Sequence, residues 1–538
     1  MSQTRQIVLE TLVSNTEPTQ PAVSHLEETA ASEQTVQTFD AVSPTVPEKA
    51  RRLAIIILIV SSNMVQMISN MVGLAAGLEI SKYLGVSVGP GNANWAAASY
   101  PLTQGTFVLI SGRLGAVYGH RTVLIGGAIW FVIWTLANGF CNNFVSFNVA
   151  RAFSGIGGAL IMPNAVALIS STIPPGKVRN VTLGFFGASA PIGSYLGAIW
   201  AGIFVQYAKW NWIFFSLAIL GAITFGILGL LLPHDHPVDR NGRIDWIGAA
   251  LGTGGLIVFN VAWNQAPASG WKEPFEITLL VVSVVLLAAF VIWQSKFAQT
   301  PIMPLDIWTA PSFAALTLVV LLSFMSNGIF LWYMVAWLQI LRDKTILQFG
   351  VEWTPFGIVA TVGTFISAWL IPRLAAQWIL AIGSASILIA NVLLATMPAQ
   401  QTYWAQVFPA TIFMAFCPDF VYVAAQIVTS NSVKRKEQGV AASLIGVLNL
   451  YGNSLGLGFA GTIETEVNKH RPDPILGYRA ALSFGGGIAL IAVVLASFFV
   501  RVAKDEREGW TDPADRDEDV GISLSGGTST AIDYGSRT

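Results

Sequence analysis

Between residues 50 and 500 this chain is a succession of apolar runs, each about as long as a bilayer is thick. No other feature constrains its fold as strongly. A span across hydrocarbon needs roughly 20 mostly apolar residues and must satisfy its own backbone hydrogen bonds there. Candidate spans fall at about 53–76, 94–112, 122–140, 144–170, 180–205, 211–232, 245–264, 276–294, 312–338, 349–371, 374–396, 404–430, 438–462 and 477–500. The prediction is an all-α, polytopic membrane protein with about 14 transmembrane helices. Composition supports it: 53% of residues are hydrophobic and only 11% charged, with a mean hydropathy of +0.60. A soluble domain carries about 25% charged residues.

An even number of spans puts both tails on one side. Roughly 17 Lys and Arg fall on the connections of that side, including Lys49, Arg51, Arg113, Arg121, Lys177, Arg243 and Arg501, against roughly 8 on the other. The bias predicts cytoplasmic termini. Residues 1–48 are rich in Ser, Thr, Gln, Glu and Pro and cannot bury enough apolar surface to order themselves. They are expected to be a disordered tail, as are residues 503–538 with their "DPADRDEDVG". Between the tails lies a faint repeat. "ALISSTIPPGKVRNVTLGFFG" and "AAQIVTSNSVKRKEQGVAASLIG" each join a small-residue helix, a short basic loop and a glycine-spaced helix. Two parallel repeats about a central site are a common transporter plan. The expected organisation is a six-helix half at 49–233, a linker with two inserted helices at 234–300, and a second half at 301–502.

Several function classes drop out. The net charge is -1, so no basic surface suits nucleic acid. Cys141 and Cys417 sit in apolar stretches, with no disulfide or zinc pattern. No G-x-x-x-x-G-K-[ST] is present, which removes an ATP-driven pump of that type. The N-terminus has no basic-then-apolar segment with a cleavage site, and the run near residue 53 is expected to act as an uncleaved anchor. His234, Asp235 and His236 form an "HDH" that reads as a solvated loop, so no metal and no cofactor is expected.

Three motifs carry a family resemblance. "GRLGAVYGHR" (112–121) resembles motif A of the major facilitator superfamily through Gly112, Arg113, Leu114, Gly119, His120 and Arg121. Ala116 stands where that motif has an acid, and Val117 where it has arginine. The resemblance implies a gating loop whose acid meets a helix N-terminus or an arginine. Without that acid the latch should be weaker, and Ala116→Asp should shift the population toward the outward-facing state. "NVARAFSGIGGAL" resembles motif B through Arg151 and Gly155. "GFFGASAPIGSYLG" resembles the antiporter motif through Gly187, Pro191, Gly193 and Gly197, with Ala190 before the proline. Together with "DWIGAALG" at 245–252, these motifs resemble the 14-helix drug:proton antiporter branch. "SYPLTQGTFVLISGRLG" (99–115) and "CPDFVYVAAQIVTSNSV" (417–433) resemble the fungal aminotriazole- and boron-resistance transporters and their low-affinity ammonium relatives.

Membrane-embedded charges narrow the site. Asp419 falls mid-helix, where desolvation penalises its charge, so it is protonated or paired. That suits proton coupling. The alternative is a cap on a half-helix started by Pro418. An arginine inside a span costs at least about 2.5 kcal/mol, so Arg151 faces a wet cavity or a carboxylate, or snorkels to the interface. Glu464 and Glu466 read as solvated at a helix end. Asn63, Gln66 and Asn70 form one polar stripe on the first helix, which lacks the acid many relatives carry there. They line a cavity or bond between helices. Further cavity candidates are Asn327, Trp332, Tyr333, Trp337, Tyr422, Gln426, Asn449, Tyr451 and Asn453.

The expected function is proton-coupled export of a small molecule, a drug, metabolite or small polar solute, from a fungal cell by alternating access. Its partners are the substrate, protons and the lipid bilayer, and a monomer in the plasma or vacuolar membrane is expected. Two alternatives stay open: an uptake carrier or facilitator for a solute such as borate or ammonium, and a sensor that has lost transport.

Overall fold

The computed structural model describes residues 46–501, apart from 87–88, 174–176, 434–437 and 471–472 and positions 234, 236, 241, 311 and 372. Both predicted tails lie largely or wholly outside the described residues, as do His234 and His236 of the "HDH" segment. The two units are Met1–Leu53 and Ala54–Thr538, and the packing below concerns the second.

Helices α1 (Val46–Ala75), α2 (Trp95–Tyr118), α3 (His120–Asn138), α4 (Phe144–Thr172), α5 (Lys177–Tyr207) and α6 (Asn211–Leu231) are followed by α7 (Trp246–Ser269) and α8 (Pro274–Lys296). Then come α9 (Phe313–Leu341), α10 (Ile346–Leu370), α11 (Ala376–Thr396), α12 (Val407–Ser432), α13 (Gln438–His470) and α14 (Pro474–Phe498). The order is the all-α, fourteen-helix one predicted. Among the described residues thirteen of these are long and apolar enough to cross a membrane. The exception, α2, buries Ser99, Thr103, Gln104, Thr106 and Ser111. Its polarity faces protein rather than lipid, which is why its own hydropathy undersells it.

Local signals set the ends. Asn143 and Asp245 cap α4 and α7, each accepting a backbone N–H at 2.8 Å. Thr345 and Gln348 open α10 with a reciprocal capping box. Gly119, at φ +93°, makes the α2–α3 turn, where a side chain would meet Asp235.

Packing divides the helices. In the first six, α2 and α3 pack on α4, and α6 on α3. In the last six, α11 packs on α12 and α14, and α9 on α13 and α14. The two sets join at α2–α13 and α5–α10, while α7 touches both α2 and α13. In lipid, helix association rests on close approach rather than on the hydrophobic effect, so small residues mark the contacts. A Cβ on Gly193 or Gly197 would fall 2.7 Å from the Met64 or Ile68 carbonyl of α1. Burial separates roles: 67% of the most apolar stretch is buried in both α9 and α13, against 11% in α8, which therefore presents its surface to lipid.

Candidate functional site

The motif-A-like loop does not lack acids after all. They come from the linker after α6. The Asp239 carboxylate pairs with Arg113 at 2.8 Å, and its backbone N–H donates to the Ala116 carbonyl at 3.0 Å. Arg113 also donates to the Arg243 carbonyl, at 3.0 and 3.3 Å. Asp235 accepts the backbone N–H of Arg121 at 3.0 Å, as an anion at the start of α3. Arg121 donates from Nη2 to the Gly229 carbonyl, and His120 Nδ1 lies 2.8 Å from Asn164 Oδ1. Gly112 faces Ser443 of α13, whose hydroxyl a Cβ at 112 would meet at 3.6 Å, and Leu114 is half-buried beside Ile110 and Ala249. The hydrogen bonds and the ion pair of this clasp are all to the first six helices and their linker.

Arg151 is fully buried on α4, within the bundle rather than at its rim. Its Nη1 donates to Ser69 of α1 at 3.1 Å, and its guanidinium lies 4.9 Å from the Tyr100 ring centre on α2. Nε and Nη2 have no partner, and no ion pair to an acid forms at Arg151 among the described residues. Gly73 makes room for it; a Cβ there would lie inside the guanidinium. Below it Gln104 donates to Gln66 at 3.3 Å, and Gly158 faces Tyr100, Gln104 and Gln66 together. Tyr100, Ser69 and Gln104 are the members of this cluster that the sequence reading passed over.

Asp419 sits on the other six-helix set. Helix α12 runs unbroken through Pro418, so there is no half-helix for Asp419 to cap. Its Oδ2 has no hydrogen-bond partner among the described residues and faces Gly363 of α10. The residue remains partly exposed. Asp419 and Arg151 therefore do not touch. Across from α10 stands Gly187 of α5, where a Cβ would lie 3.5 Å from Thr364, with Pro191 one turn further along the unbroken α5.

The amide candidates fall into separate groups. Asn63 donates to Ser189 and to the Phe186 carbonyl of α5, at 2.9 and 3.2 Å. Asn70 is half-buried on the same helix. On α9 and α13, Asn327 donates to Asn453 at 2.9 Å, and Asn453 to the Asn449 carbonyl at 2.8 Å. One turn along α12 from Tyr422, Gln426 donates to the Ala442 carbonyl of α13 at 3.2 Å. Tyr451 donates to the Leu256 carbonyl on the inserted α7 at 2.9 Å.

One end of the bundle is shut by contacts between the two sets of helices. At the end holding the α1–α2 connection, Gln339 of α9 donates to the Ala75 carbonyl at 2.7 Å, and Trp332 packs on Gly77. Gly350 abuts Ala198, and Gly202 abuts Leu347. Outside the spans there, Arg342 donates to the Ala399 and Pro398 carbonyls, and burial pulls its guanidinium below its ordinary value. Tyr403 donates to the Glu352 carbonyl at 2.7 Å, and burial pushes its phenol up to about 12. At the opposite end, Gly184 and Gly439 have nothing within 4 Å.

Glu464 corrects the sequence reading, which left it solvated. It is 5% exposed at the shut end, where Tyr333 donates to its Oε2 at 2.8 Å. Glu466 is the exposed one, paired with Lys469. A signal was present: Ser454, Gly458 and Gly461 continue a buried stripe at helical spacing that reaches 464.

Comparison with known proteins adds to this geometry. The family model described as Major Facilitator Superfamily matches residues 58–457 and 316–524. The Low affinity ammonium transporter of Saccharomyces cerevisiae is 33% identical over 440 residues, covering 79% of this chain and 85% of that protein. Efflux pump terJ of Aspergillus terreus is 34% identical over 449 residues, covering 81% and 86%. Among solved structures, a POT family transporter in complex with 5-aminolevulinic acid superposes with a TM-score of 0.63 at 13% identity, covering 84% of this chain and 97% of that one.

Proposed function

The chain belongs to the major facilitator superfamily of membrane transporters, and we propose that it is a proton-coupled exporter of a small molecule. It is an integral multi-pass membrane protein and not an enzyme. In our reading helices 1–6 and 9–14 are two halves that rock about a midplane site. Both termini are cytoplasmic, which makes the shut end the outer one, and the plasma membrane is the working location.

One observation carries the coupling: Asp419, partly exposed on α12, with an oxygen that no protein group satisfies. A carboxyl so placed exchanges a proton with water that enters between α5, α10 and α12. Arg151 keeps a fixed positive charge in the other half and tunes that exchange through its field. The Asn327–Asn453–Asn449 ladder and Tyr422 offer neutral donors and acceptors to the substrate, which suits a polar neutral or amphiphilic molecule better than a cation.

The test is flux in reconstituted vesicles with an imposed pH gradient and a trapped pH dye. Boric acid, ammonium, aminotriazole and amphiphilic drugs form the panel, with wild type and Asp419→Asn compared. Substrate-dependent proton flux that the variant loses supports antiport. Those same neutral amides, and a relative named for ammonium transport, favour a second reading, facilitated passage of a small polar solute. Substrate movement indifferent to the gradient and to Asp419 would select it.

A further inference from the structure

We propose that Glu464 is a positioning residue for the transport step, a proton-operated latch that holds the halves together at the α1–α2 end. The proposal rests on the transporter reading above for its place in a cycle. Its evidence is the bridge the carboxyl makes. Glu464 belongs to α13 and accepts the Tyr333 hydroxyl of α9 at 2.8 Å, both in the second half. Gly91, in the 90–93 turn before α2 in the first half, packs directly against it. A Cβ on Gly91 would stand 3.2 Å from Oε2 and 3.4 Å from the Gly461 carbonyl, so the two backbones meet with no side chain between them. Nothing in the motif-based account of transport uses this carboxyl.

Among the described residues, few groups face it. From α9 comes Tyr333, and from α14 comes Tyr478, whose ring lies 5.7 Å from that of Tyr333. From α7 comes Pro267, packed on Gly461, and from the 90–93 turn comes backbone. The charged residues further along α13, Glu466 and Lys469, are exposed and pair with each other. No cation pairs with Glu464 among the described residues. An ionised carboxylate buried without a cation is costly, so the shut end holds the carboxyl in its neutral form. Parting the halves breaks the Gly91 contact and gives the group water, where ionisation is cheap. The state that binds the proton more tightly is the one acid favours. Acid therefore closes this end and alkali opens it. The proton enters and leaves on the same side, so the latch regulates the cycle without adding to the protons carried.

The test reads conformation directly. Spin labels at Tyr83→Cys and Trp404→Cys, exposed positions near this end in either half, report its opening by pulsed dipolar distance measurement in lipid nanodiscs. The background carries Cys141→Ser and Cys417→Ser. In the otherwise wild-type chain the long-distance population grows as pH rises from about 5 to about 9. Glu464→Gln, fixed as neutral, stays at the short distance throughout, with the open population at high pH reduced about tenfold. A wild-type pH response retained in Glu464→Gln, or opening that grows as pH falls, overturns the latch. If Glu464→Gln is not recovered from membranes, Glu464→Asp gives the second reading. One methylene shorter, it cannot reach both Tyr333 and Gly91, so its midpoint moves; an unmoved midpoint overturns the proposal. Asp419→Asn separates the two readings. Proton flux absent from wild type with the titration intact defeats the antiport reading alone, and an intact flux with a Glu464-independent titration defeats the latch alone.

Discussion

Two glycines on one helix make a quantitative test of the packing. Gly193→Ala places a methyl group 2.7 Å from the Met64 carbonyl oxygen and 2.8 Å from Met67 Cβ. Ordinary contact distances start near about 3.5 Å, so α1 and α5 must part by roughly 0.8 Å. Overpacking of this kind costs about 1–3 kcal/mol. It also stretches the 2.9 Å Asn63–Ser189 bond between the same helices. Gly184, on the same helix, has nothing within 4 Å of its would-be Cβ. There alanine gains up to about 1 kcal/mol in helix propensity. The two alanine variants should therefore differ by about 1–4 kcal/mol. Thermal unfolding of the purified chain, followed by tryptophan fluorescence, should put Gly193→Ala a few degrees below wild type and Gly184→Ala at or above it. Equal melting temperatures, or the opposite order, would refute the close α1–α5 approach and the account of why glycine stands at 193.

Three further outcomes follow from the contacts described. Gly105→Ala puts a methyl 2.8 Å from the Tyr451 backbone nitrogen across the α2–α13 seam, and should change maleimide labelling of Ser443→Cys several-fold without loss of folded protein. Asp239→Asn removes the Arg113 pair, whose side chains are 33% and 44% exposed, so stability should fall by no more than about 1 kcal/mol. Transport should drop more than stability does, and adding Ala116→Asp should restore it by returning an acid to the loop; no restoration would mean that the linker contact is not a substitute for the missing residue. Asp245→Ala removes the α7 cap and the bonds from Trp293 and Gln294 of α8 at 2.9 and 2.7 Å, and should cost about 2–3 kcal/mol, read as faster proteolysis between α7 and α8.

The helices were legible because hydrocarbon imposes a length and a composition on each one separately. Even α2, whose polarity excludes it from the most apolar set, was read as a span at about 94–112. The motif glycines were legible too, since small residues at helical spacing announce close approach before the partner is known. The clasp on the motif-A-like loop was not legible. Asp235 and Asp239 lie more than a hundred residues from Arg113, with no local pattern linking them. Glu464 was misplaced for a related reason. Its place near the end of its helix suggested solvent, while the residue itself turns toward Gly91 and Tyr333.

The sequence by itself therefore determined the fold class, the helix count and the family, because each follows from the solvent that every segment must meet. Only the tertiary structure decided which acid meets which partner. It put Asp239 on Arg113, left Arg151 without a carboxylate, gave Asp419 a free oxygen beside α10 and buried Glu464 at the seam. A helix fixes the face on which a side chain stands, but a charge is settled by what another helix brings within a few ångströms of it. That pairing is set by how the helices cross, and no local pattern in the chain encodes it.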